Sequence, residues 1–502
     1  MAGLSRFAVV AVLSVAFASC GAGAKLPGNG EFRAERLSPA YRAFFDDAAR
    51  SAISTMRRNR IPGLSIAVVD EAQTLWEDGF GYGDRARTVP ITPDTRFSIQ
   101  SMSKTFTGMA VLAAMQDGLL DLDEPVATYL PEFTVHSVFD TNPMQKITLR
   151  LLMTHLAGFT HEAPVGNNFT PATPTFDQHV ASISDTWLRY PVGARESYSN
   201  LGIDLAGYIV ETVRRRPFSS VMRDTVFTPF GMDRTTDEDP VILADSKRAE
   251  GHTPGMAAVP VITPMLASGG VWSTAHDIGR FLVQMLGEGE NGGPLTPSSY
   301  VAMRTSANGG SFGIGVAYRR MENNDLVLNH AGGGFGFRTV MEWYPTLGIG
   351  IVVLTNSANH DSAHIDLAHH LIAELQKRGL AKSRFSLTSE PTSNLDIRSG
   401  ADNREYFAAH AAQATWRPQW SPYLGKYEIS LNGEPVWWAH LALAAGLPSD
   451  SFLKVTKKNG GIAADGVAMI EVEPGLFFTV DGEVLDFRGS VPTWRNIPMT
   501  RR

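Results

Sequence analysis

Apolar residues recur with two different periods in the first part of the chain. Residues 41–59 repeat them at the spacing of an amphipathic helix, whereas residues 64–70 and 73–76 form two short strand-like runs typical of a β-hairpin. Residues 101–116 carry a strongly apolar helical pattern that ends before Asp117 and Gly118. We therefore expect a helix, a hairpin and a second, buried helix in this order.

Three strand-like runs follow a long middle stretch of helices and loops rich in proline and glycine. They span residues 326–330, 338–344 and 348–356, and a helical pattern at residues 365–377 comes after them. The last run, GIGIVVLTN, is nearly all apolar and should lie centrally in a sheet. The order of these elements predicts an α+β fold in which helices flank an antiparallel sheet.

The composition changes at residues 383–420, where polar residues dominate and apolar periodicity fades, so we expect a linker with some helical character at residues 406–412. This places the main domain at residues 40–382. Residues 421–502 are predicted to form a separate, small all-β domain. Its short strand-like runs are separated by three turn dipeptides, Asn432-Gly433, Asn459-Gly460 and Asp481-Gly482.

The N-terminal residues resemble a bacterial export signal. An apolar stretch at residues 7–17 is shorter than the ~20 residues that a membrane-spanning helix needs. The sequence FASC fits a lipobox, which would end the signal peptide at residue 20 and lipidate Cys20, whereas AGA at residues 22–24 fits ordinary signal cleavage. Both interpretations predict an exported, periplasmic protein with a tether at residues 21–39, and the first adds a lipid anchor to the bacterial envelope.

The composition narrows the possible partners. Of the 502 residues, 43% are hydrophobic and 19% are charged, so the chain can bury a sizeable core and does not have the composition of a disordered protein. The formal net charge of −7 does not imply a basic surface, so no nucleic-acid partner is expected. Because Cys20 is the only cysteine, no internal disulfide can form.

Ser101 and Lys104 lie three residues apart at the start of the apolar helix, and residues at this spacing share a helix face. The helix N-terminus favours an alkoxide, and burial of a lysine favours a neutral amine that can accept the serine proton. The pair thus has the chemistry of a serine nucleophile with its own base. For this pair alone, a capping serine beside a surface lysine remains an alternative. Ser451 and Lys454 repeat the spacing in a strand-like segment, where residues three apart point to opposite faces.

Two further motifs carry groups that can serve such a nucleophile. Tyr198 lies in a loop before a helix-like segment and can relay a proton, and the amide of Asn200 can bind a substrate carbonyl. His330 ends a strand and precedes Gly332 and Gly333, which allow close approach of a substrate and offer N–H donors for an oxyanion. A packed aromatic beside a capping residue would explain the first of these motifs without chemistry, and a hairpin turn would explain the second.

Taken together, these motifs resemble the serine β-lactamase and penicillin-binding protein superfamily, on the branch with class C β-lactamases, DD-peptidases, D-aminopeptidases and β-lactamase-like esterases. The stretches at residues 97–108, 147–158 and 268–275 are also similar to typical stretches of that family. The resemblance covers about residues 40–378, and the combination is far more specific than any one motif. It implies the β-lactamase/transpeptidase-like fold, an antiparallel sheet flanked by helices.

The resemblance also implies roles for single residues. Ser101 would be the acylated nucleophile, Lys104 its base partner and Tyr198 a proton shuttle. The N–H groups of Ser101 and Gly333 would form the oxyanion hole.

Substrate contacts are implied for Asn200, His330 and Gly332. The third motif departs from most β-lactamases, since His-Ala-Gly stands where they have Lys-Thr-Gly and is closer to the histidine version of DD-peptidases, aminopeptidases and esterases. A permanent ammonium that would grip a carboxylate is missing, which argues against efficient hydrolysis of β-lactam drugs.

Other kinds of site are less consistent with the sequence. Ser311, in Gly-Gly-Ser-Phe-Gly, matches the nucleophile elbow of α/β-hydrolases, but a helix-like segment precedes it and a strand-like one follows, the reverse of what the elbow needs. The adjacent His369 and His370, and the pair His155 and His161, lack the spacing of metal ligands, so no metal site is predicted. No phosphate-binding loop is present either.

We therefore expect an exported serine hydrolase that cleaves an ester or amide bond through an acyl-enzyme on Ser101 and needs no cofactor. A carboxylesterase is preferred, with a DD-carboxypeptidase or D-aminopeptidase as the alternative, and a class C β-lactamase or a non-catalytic penicillin-binding sensor module after these. The expected partner is a small ester or peptide. Loops at residues 160–183 and 240–267 are expected to set specificity, and the oligomeric state stays open.

Overall fold

The computed structural model describes residues 38–167, 174–253, 256, 258–288, 293–307, 310–320, 325–382, 392–393, 415–431, 434–435, 452–479 and 482–502. The predicted signal peptide with Cys20, nearly all of the tether, the segments 406–412 and Asn432-Gly433, and the single residues Ser451 and Asp481 lie outside these residues. In the part that is described, no helix is both long enough and apolar enough to cross a membrane.

The helices begin and end close to where the hydrophobic pattern places them. The first starts with a capping Ser38 and a proline at its first position and ends at Arg60 in the left-handed conformation. The described helices are α1 (Pro39–Asn59), α2 (Ser103–Gln116), α3 (Val126–Tyr129), α4 (Leu149–Met153), α5 (Phe176–Ser182), α6 (Asn200–Arg214), α7 (Phe218–Met222), α8 (Asp239–Ala244), α9 (Leu266–Gly269), α10 (Ala275–Leu286), α11 (Pro297–Met303) and α12 (Ala363–Lys377).

The strands form one main sheet, one closed sheet and two short pairs. The described strands are β1 (Gly63–Asp70), β2 (Thr74–Gly81), β3 (Phe97–Ser98), β4 (Trp272–Ser273), β5 (Ser306–Ala307), β6 (Ala317–Arg320), β7 (Leu326–Gly334), β8 (Phe337–Tyr344), β9 (Ile349–Thr355), β10 (Thr392–Ser393), β11 (Gly425–Leu431), β12 (Glu434–Pro435), β13 (Phe452–Lys458), β14 (Gly461–Ala464), β15 (Val467–Glu473), β16 (Leu476–Thr479), β17 (Val484–Asp486), β18 (Thr493–Trp494) and β19 (Ile497–Arg501).

The main sheet has six strands in the order β2-β1-β9-β8-β7-β6, and each neighbouring pair is antiparallel. The apolar run predicted to lie centrally is β9, which pairs with β1 on one side and β8 on the other. All of its residues are buried. A sequence pattern without alternation therefore marked a strand covered on both faces, as predicted.

Helices cover both faces of this sheet. Ile66 and Val68 of β1 pack in a core with α1 and α12, whereas the intervening Ala67 and Val69 pack in the core that contains α2 and α10. Alternate residues of a strand point to opposite faces, so each strand contributes to two cores. This arrangement confirms the predicted fold class, an antiparallel sheet flanked by helices.

The C-terminal strands form a closed sheet. β11 and β13 to β19 pair in succession, and β19 pairs back with β11, with Tyr427 opposite Arg501. The predicted turn at Asn459-Gly460 joins β13 to β14, and both residues have the positive φ of a tight hairpin turn. The predicted all-β C-terminal region is thus present, and the aromatic residues Trp420 and Phe477 lie in its core.

The closed sheet packs on the main domain. Phe335, at the turn between β7 and β8, is buried in the core of the closed sheet, and the ring of Phe478 lies 6.0 Å from that of Trp187. An ion pair between Arg189 and Glu483 joins the two parts as well. The closed sheet thereby contacts Trp187 and Arg189, which follow the loop at residues 160–183 that is expected to set specificity.

Candidate active site

Ser101 lies in a short 3-10 turn, Gln100–Met102, that leads directly into α2. The preceding Gln100 has φ 52°, a left-handed conformation that is strained for a residue with a side chain. The hydroxyl of Ser103 donates to the carbonyl oxygen of Gln100 at 2.6 Å and holds this turn in place. The turn sets Ser101 at the end of the apolar helix rather than inside it.

Lys104 is 1% exposed, and its Nζ makes three contacts, to Ser101 Oγ at 3.1 Å, to Asn200 Oδ1 at 2.7 Å and to the Ser268 carbonyl oxygen at 2.8 Å. The amide oxygen and the carbonyl oxygen can only accept hydrogen bonds. In a neutral amine, the two hydrogens therefore point to these oxygens. The lone pair is left facing the hydroxyl of Ser101, as a base for that hydroxyl requires.

Asn200 is the first residue of α6, and the side chain of Ser199 caps this helix by accepting from the N–H of Gly202 at 3.2 Å. The preceding Tyr198 lies with its ring centroid 5.0 Å from the Nζ of Lys104. The helix cap thus brings both residues of the second motif to the lysine amine.

Two histidine rings flank Tyr198, that of His155 at 4.4 Å and that of His161 at 5.7 Å between ring centroids. The N–H of Ser199 donates to Nδ1 of His155 at 3.2 Å, so this nitrogen carries a lone pair. Burial lowers the pKa of His155 well below its ordinary range. His155 is therefore a neutral ring at neutral pH.

The third motif lies on β7, beside the nucleophile turn. A Cβ at Gly332 would collide with the carbonyl oxygen of Ile99, and one at Gly334 would collide with the side chain of Gln100. From the next strand, the hydroxyl of Thr339 donates to the same Ile99 carbonyl at 3.0 Å. Bare backbone at these positions lets β7 approach the turn that carries Ser101.

His330 also lies on β7, is 4% exposed and is neutral. Burial lowers its pKa to about 3. Its Nδ1 donates to the carbonyl oxygen of Ala331 at 2.8 Å, which leaves Nε2 as an acceptor. Nε2 is buried and has no hydrogen-bond partner among the described residues.

A buried carboxylate, Asp204, supports the backbone that holds the lysine. It accepts from the N–H of Ser268 at 2.8 Å and from the hydroxyl of Ser268 at 2.7 Å, and it contacts Nε2 of His179 at 3.1 Å. Burial opposes a charge on His179, but the hydrogen bond and charge of Asp204 outweigh it, so the pKa of His179 is raised. The carbonyl oxygen of Ser268 thus has a fixed position beside Lys104.

Glu162 is a second buried carboxylate, fully removed from solvent. Its Oε1 accepts from Nδ2 of Asn200 at 3.3 Å and contacts Nδ1 of His161 at 2.7 Å. Its carbonyl oxygen accepts from the side-chain amide of Asn496 at 2.8 Å. Asn496 belongs to the hairpin tip between β18 and β19. The closed sheet therefore contacts Glu162, which in turn contacts Asn200.

The family model described as β-lactamase matches residues 48–375, a span that includes all three motifs but not Asn496. The chain belongs to the β-lactamase family. The superfamily and fold inferred from the three motifs are thereby confirmed.

Among curated relatives of this β-lactamase-family protein, an unguisins hydrolase from Aspergillus campestris is 29% identical over 358 residues, which cover 65% of this chain and 64% of that protein. "Beta-lactamase-like protein 4" from Dictyostelium discoideum is 29% identical over 227 residues and is covered for 40% of its length. The chain therefore spans less than two thirds of the length of these relatives.

Among solved structures, an octameric penicillin-binding protein homologue from Pyrococcus abyssi is similar over 90% of this chain and 95% of its own, with a TM-score of 0.57 and 18% identity. At this level of identity the likeness concerns the fold. It extends beyond the span of the family model.

The structure brings together Ser101, Lys104 and Asn200 through direct contacts and places Tyr198 and His330 beside them. Ser311 does not join them, because its hydroxyl donates to Glu196 at 2.7 Å and the residue is exposed. The neighbouring Phe312 does lie at the site, with its ring centroid 4.7 Å from that of His155 and 5.9 Å from that of Tyr198.

Three of the four histidines considered as metal ligands have other partners. His369 contacts the buried Glu342 at 3.0 Å on the far side of the sheet from Ser101, and His155 and His161 lie against Tyr198. No group of three or more possible ligands is found in the described part of the chain. Sequence reasoning assigned no role to His155, His161, Glu162 or Asp204, since each acts through a partner distant in sequence.

Proposed function

We propose that the protein is a serine hydrolase that cleaves an ester or amide bond through an acyl-enzyme on Ser101, and that carboxylic esters are its preferred substrates. The observation that carries this proposal is the buried Nζ of Lys104, 3.1 Å from Ser101 Oγ, with its other two contacts made to acceptors. This arrangement is the one a neutral lysine needs to act as a base.

In the proposed reaction, Ser101 Oγ attacks the substrate carbonyl while its proton moves to the amine of Lys104. The N–H groups of Ser101 and Gly333 stabilise the oxyanion, and the proton passes through Tyr198 to the leaving group as its bond to the carbonyl carbon breaks. Water then hydrolyses the acyl-enzyme and restores the serine. The route uses side chains and backbone of this chain alone.

The preference for esters rests on His330. At the position where most β-lactamases have a lysine, this chain has a buried imidazole that is neutral at neutral pH, because its pKa is about 3. Such a group accepts a hydrogen bond but does not attract a substrate carboxylate. This supports an ester without a carboxylate over a β-lactam drug.

A D-amino-acid peptidase is the second candidate, because a cation lies beside the third motif. The guanidinium of Arg338 stands next to Gly333, so that a Cβ on this glycine would collide with it. Burial lowers the pKa of Arg338, which leaves a poorly solvated cation that would gain from an anionic partner such as a peptide C-terminal carboxylate.

Parallel assays of nitrophenyl acyl esters, a D-Ala-D-Ala peptide and a chromogenic cephalosporin rank these candidates. We expect the fastest turnover with the esters and no turnover of any substrate by Ser101→Ala. Faster turnover of the peptide, lost in Arg338→Met while ester turnover persists, would establish the second candidate. A fluorophosphonate label on any residue other than Ser101 would contradict the proposed site.

We also propose export, with a lipid anchor at Cys20, from the pattern of residues 1–20. Fractionation of cells that express the full chain tests this. The wild-type protein should be in the membrane fraction, and Cys20→Ala should release it. Equal distribution of both would contradict the anchor, and retention of both in the cytoplasm would contradict export.

A further inference from the structure

Glu162 is the branch point of a hydrogen-bonded chain that ends at the proposed nucleophile. From Ser101 Oγ, the chain runs to Lys104 Nζ at 3.1 Å, from there to Asn200 Oδ1 at 2.7 Å, and from Asn200 Nδ2 to Glu162 Oε1 at 3.3 Å. The backbone supports the same arrangement, because the N–H of Asn200 donates to the carbonyl oxygen of His161 at 3.2 Å.

The orientation of the Asn200 amide decides whether Lys104 can be a base. With Oδ1 toward the amine, Asn200 occupies one hydrogen of Nζ and leaves the lone pair for Ser101. With the amide turned over, its NH2 group would face the amine and donate to that same lone pair. The two orientations have nearly the same shape, so packing alone discriminates poorly between them.

The carboxylate of Glu162 discriminates strongly between the two orientations of the Asn200 amide. Ionised Glu162 can only accept hydrogen bonds, so the NH2 group of Asn200 must face it and the oxygen must face the lysine. Because Glu162 is fully buried, no water competes for this contact, and an unmatched pair of oxygens at 3.3 Å would be costly.

We propose that Glu162 is a positioning residue for the Ser101–Lys104 pair, and that its carboxylate holds the Asn200 amide with the oxygen toward the lysine amine. This inference rests on the proposed function, since it concerns the rate at which Ser101 is acylated. It assigns a role to a residue outside the three motifs that carry the family resemblance.

Glu162 could also affect acylation through its contact with His161 rather than through Asn200. A variant of His161 separates these two routes. His161→Gln removes the imidazole that lies 5.7 Å from the Tyr198 ring but leaves the carboxylate beside Asn200. If the carboxylate acts through Asn200, this variant slows acylation less than Glu162→Ala does.

The experiment measures acyl-enzyme formation by the burst of nitrophenol from a nitrophenyl ester, over a range of ester concentrations, in the full chain. Glu162→Ala should slow the burst about 10- to 100-fold, as the loss of a hydrogen bond to a charged group does. Glu162→Gln should slow it less, because a glutamine oxygen can still accept from Asn200. The half-saturating ester concentration should not change, since Glu162 itself is not proposed to contact the ester.

Glu342→Gln is a matched control. Glu342 is also a buried carboxylate that contacts a histidine, at 3.0 Å, and it is bonded to Tyr344, away from the lysine. Both glutamine variants should lower the melting temperature, but only Glu162→Gln should slow the burst. An equal slowing by Glu342→Gln would show a general effect on the fold and overturn the proposal.

The remaining outcomes are also decisive. Wild-type burst rates in folded Glu162→Ala or, if that variant fails to fold, in Glu162→Gln would overturn the positioning role, as would a His161→Gln variant that is as slow as Glu162→Ala. A wild-type protein that forms no acyl-enzyme on Ser101 with any of the three substrate classes would instead contradict the proposed function itself.

Discussion

Replacement of Asp204 by asparagine tests whether the buried network behind the lysine is electrostatic. Asp204 lies in the interior with His179, and both side chains are 0% exposed. It accepts two hydrogen bonds from Ser268, at 2.8 and 2.7 Å, and contacts His179 at 3.1 Å. Asparagine keeps one acceptor oxygen, and its NH2 group must then face a donor.

The expected loss of stability follows from these contacts. Removing one partner of a buried ion pair costs about 3–5 kcal/mol, and a single hydrogen bond to a charged group contributes about 1.5–3 kcal/mol. We therefore expect Asp204→Asn to lower the free energy of unfolding by about 3–5 kcal/mol. Because Ser268 would lose its anchor beside Lys104, acylation should also slow by roughly tenfold, the equivalent of one hydrogen bond.

The loss should depend on pH in a defined direction. The pKa of His179 is raised above its ordinary value of 6.5, so the native protein binds this proton more tightly than the unfolded chain does. The resulting stabilisation is complete below about pH 6.5 and is lost as the pH rises through the native pKa. The difference in stability between wild type and Asp204→Asn should therefore be larger at pH 6 than at pH 9.

Calorimetry and denaturant unfolding at these two pH values measure the difference, and the nitrophenyl ester burst measures acylation. Asp277→Asn is the matched control, because Asp277 is also buried and accepts from Thr235 Oγ1 and the N–H of Arg234, both at 2.8 Å or less. Within the described part of the chain, its side-chain hydrogen bonds do not reach the residues that contact Lys104. A loss that is independent of pH, or a folded Asp204→Asn variant that acylates at the wild-type rate, would refute the reasoning.

Two further predictions concern the third motif and the closed sheet. Gly332→Ala should slow acylation by at least about tenfold and destabilise the fold by about 1–3 kcal/mol, since the new Cβ collides with the Ile99 carbonyl and Thr339 Oγ1. Burst kinetics measure the acylation rate and urea unfolding measures the stability, and wild-type values for both would contradict the prediction. Asn496→Ala should lower stability by about 1 kcal/mol and change the preference between short and long acyl esters, since the closed sheet would release the backbone of Glu162. An unchanged preference would show that the closed sheet does not influence substrate specificity through this contact.

The sequence identified the elements that have a local signature. β9 has an uninterrupted apolar run, which could be predicted without long-range information. Helical spacing also predicted that Ser101 and Lys104 lie close together, although Ser101 lies in the 3-10 turn that precedes α2. The pairing of β1 with β9, across almost 280 residues, carries no such signal. The sheet order therefore had to come from the structure.

Supporting residues of the site were missed for a related reason. Glu162 and Asp204 act through residues 38 and 64 positions away, and nothing in their own neighbourhood distinguishes them from surface carboxylates. The hairpin tip at Arg495 and Asn496 escaped because turn prediction relies on glycine, whereas here two residues with side chains take positive φ. Phe312 was considered only as part of a motif around Ser311.

The central claim is that the amine of Lys104 removes the proton of Ser101. Lys104→Arg tests it most directly, because a guanidinium stays charged and has no lone pair to offer. With a nitrophenyl ester and mass spectrometry of the Ser101 peptide, we expect acyl-enzyme formation to fall by about 10²–10⁴-fold, the contribution of a positioned base. Acylation of Ser101 at the wild-type rate in a folded Lys104→Arg variant would contradict the account.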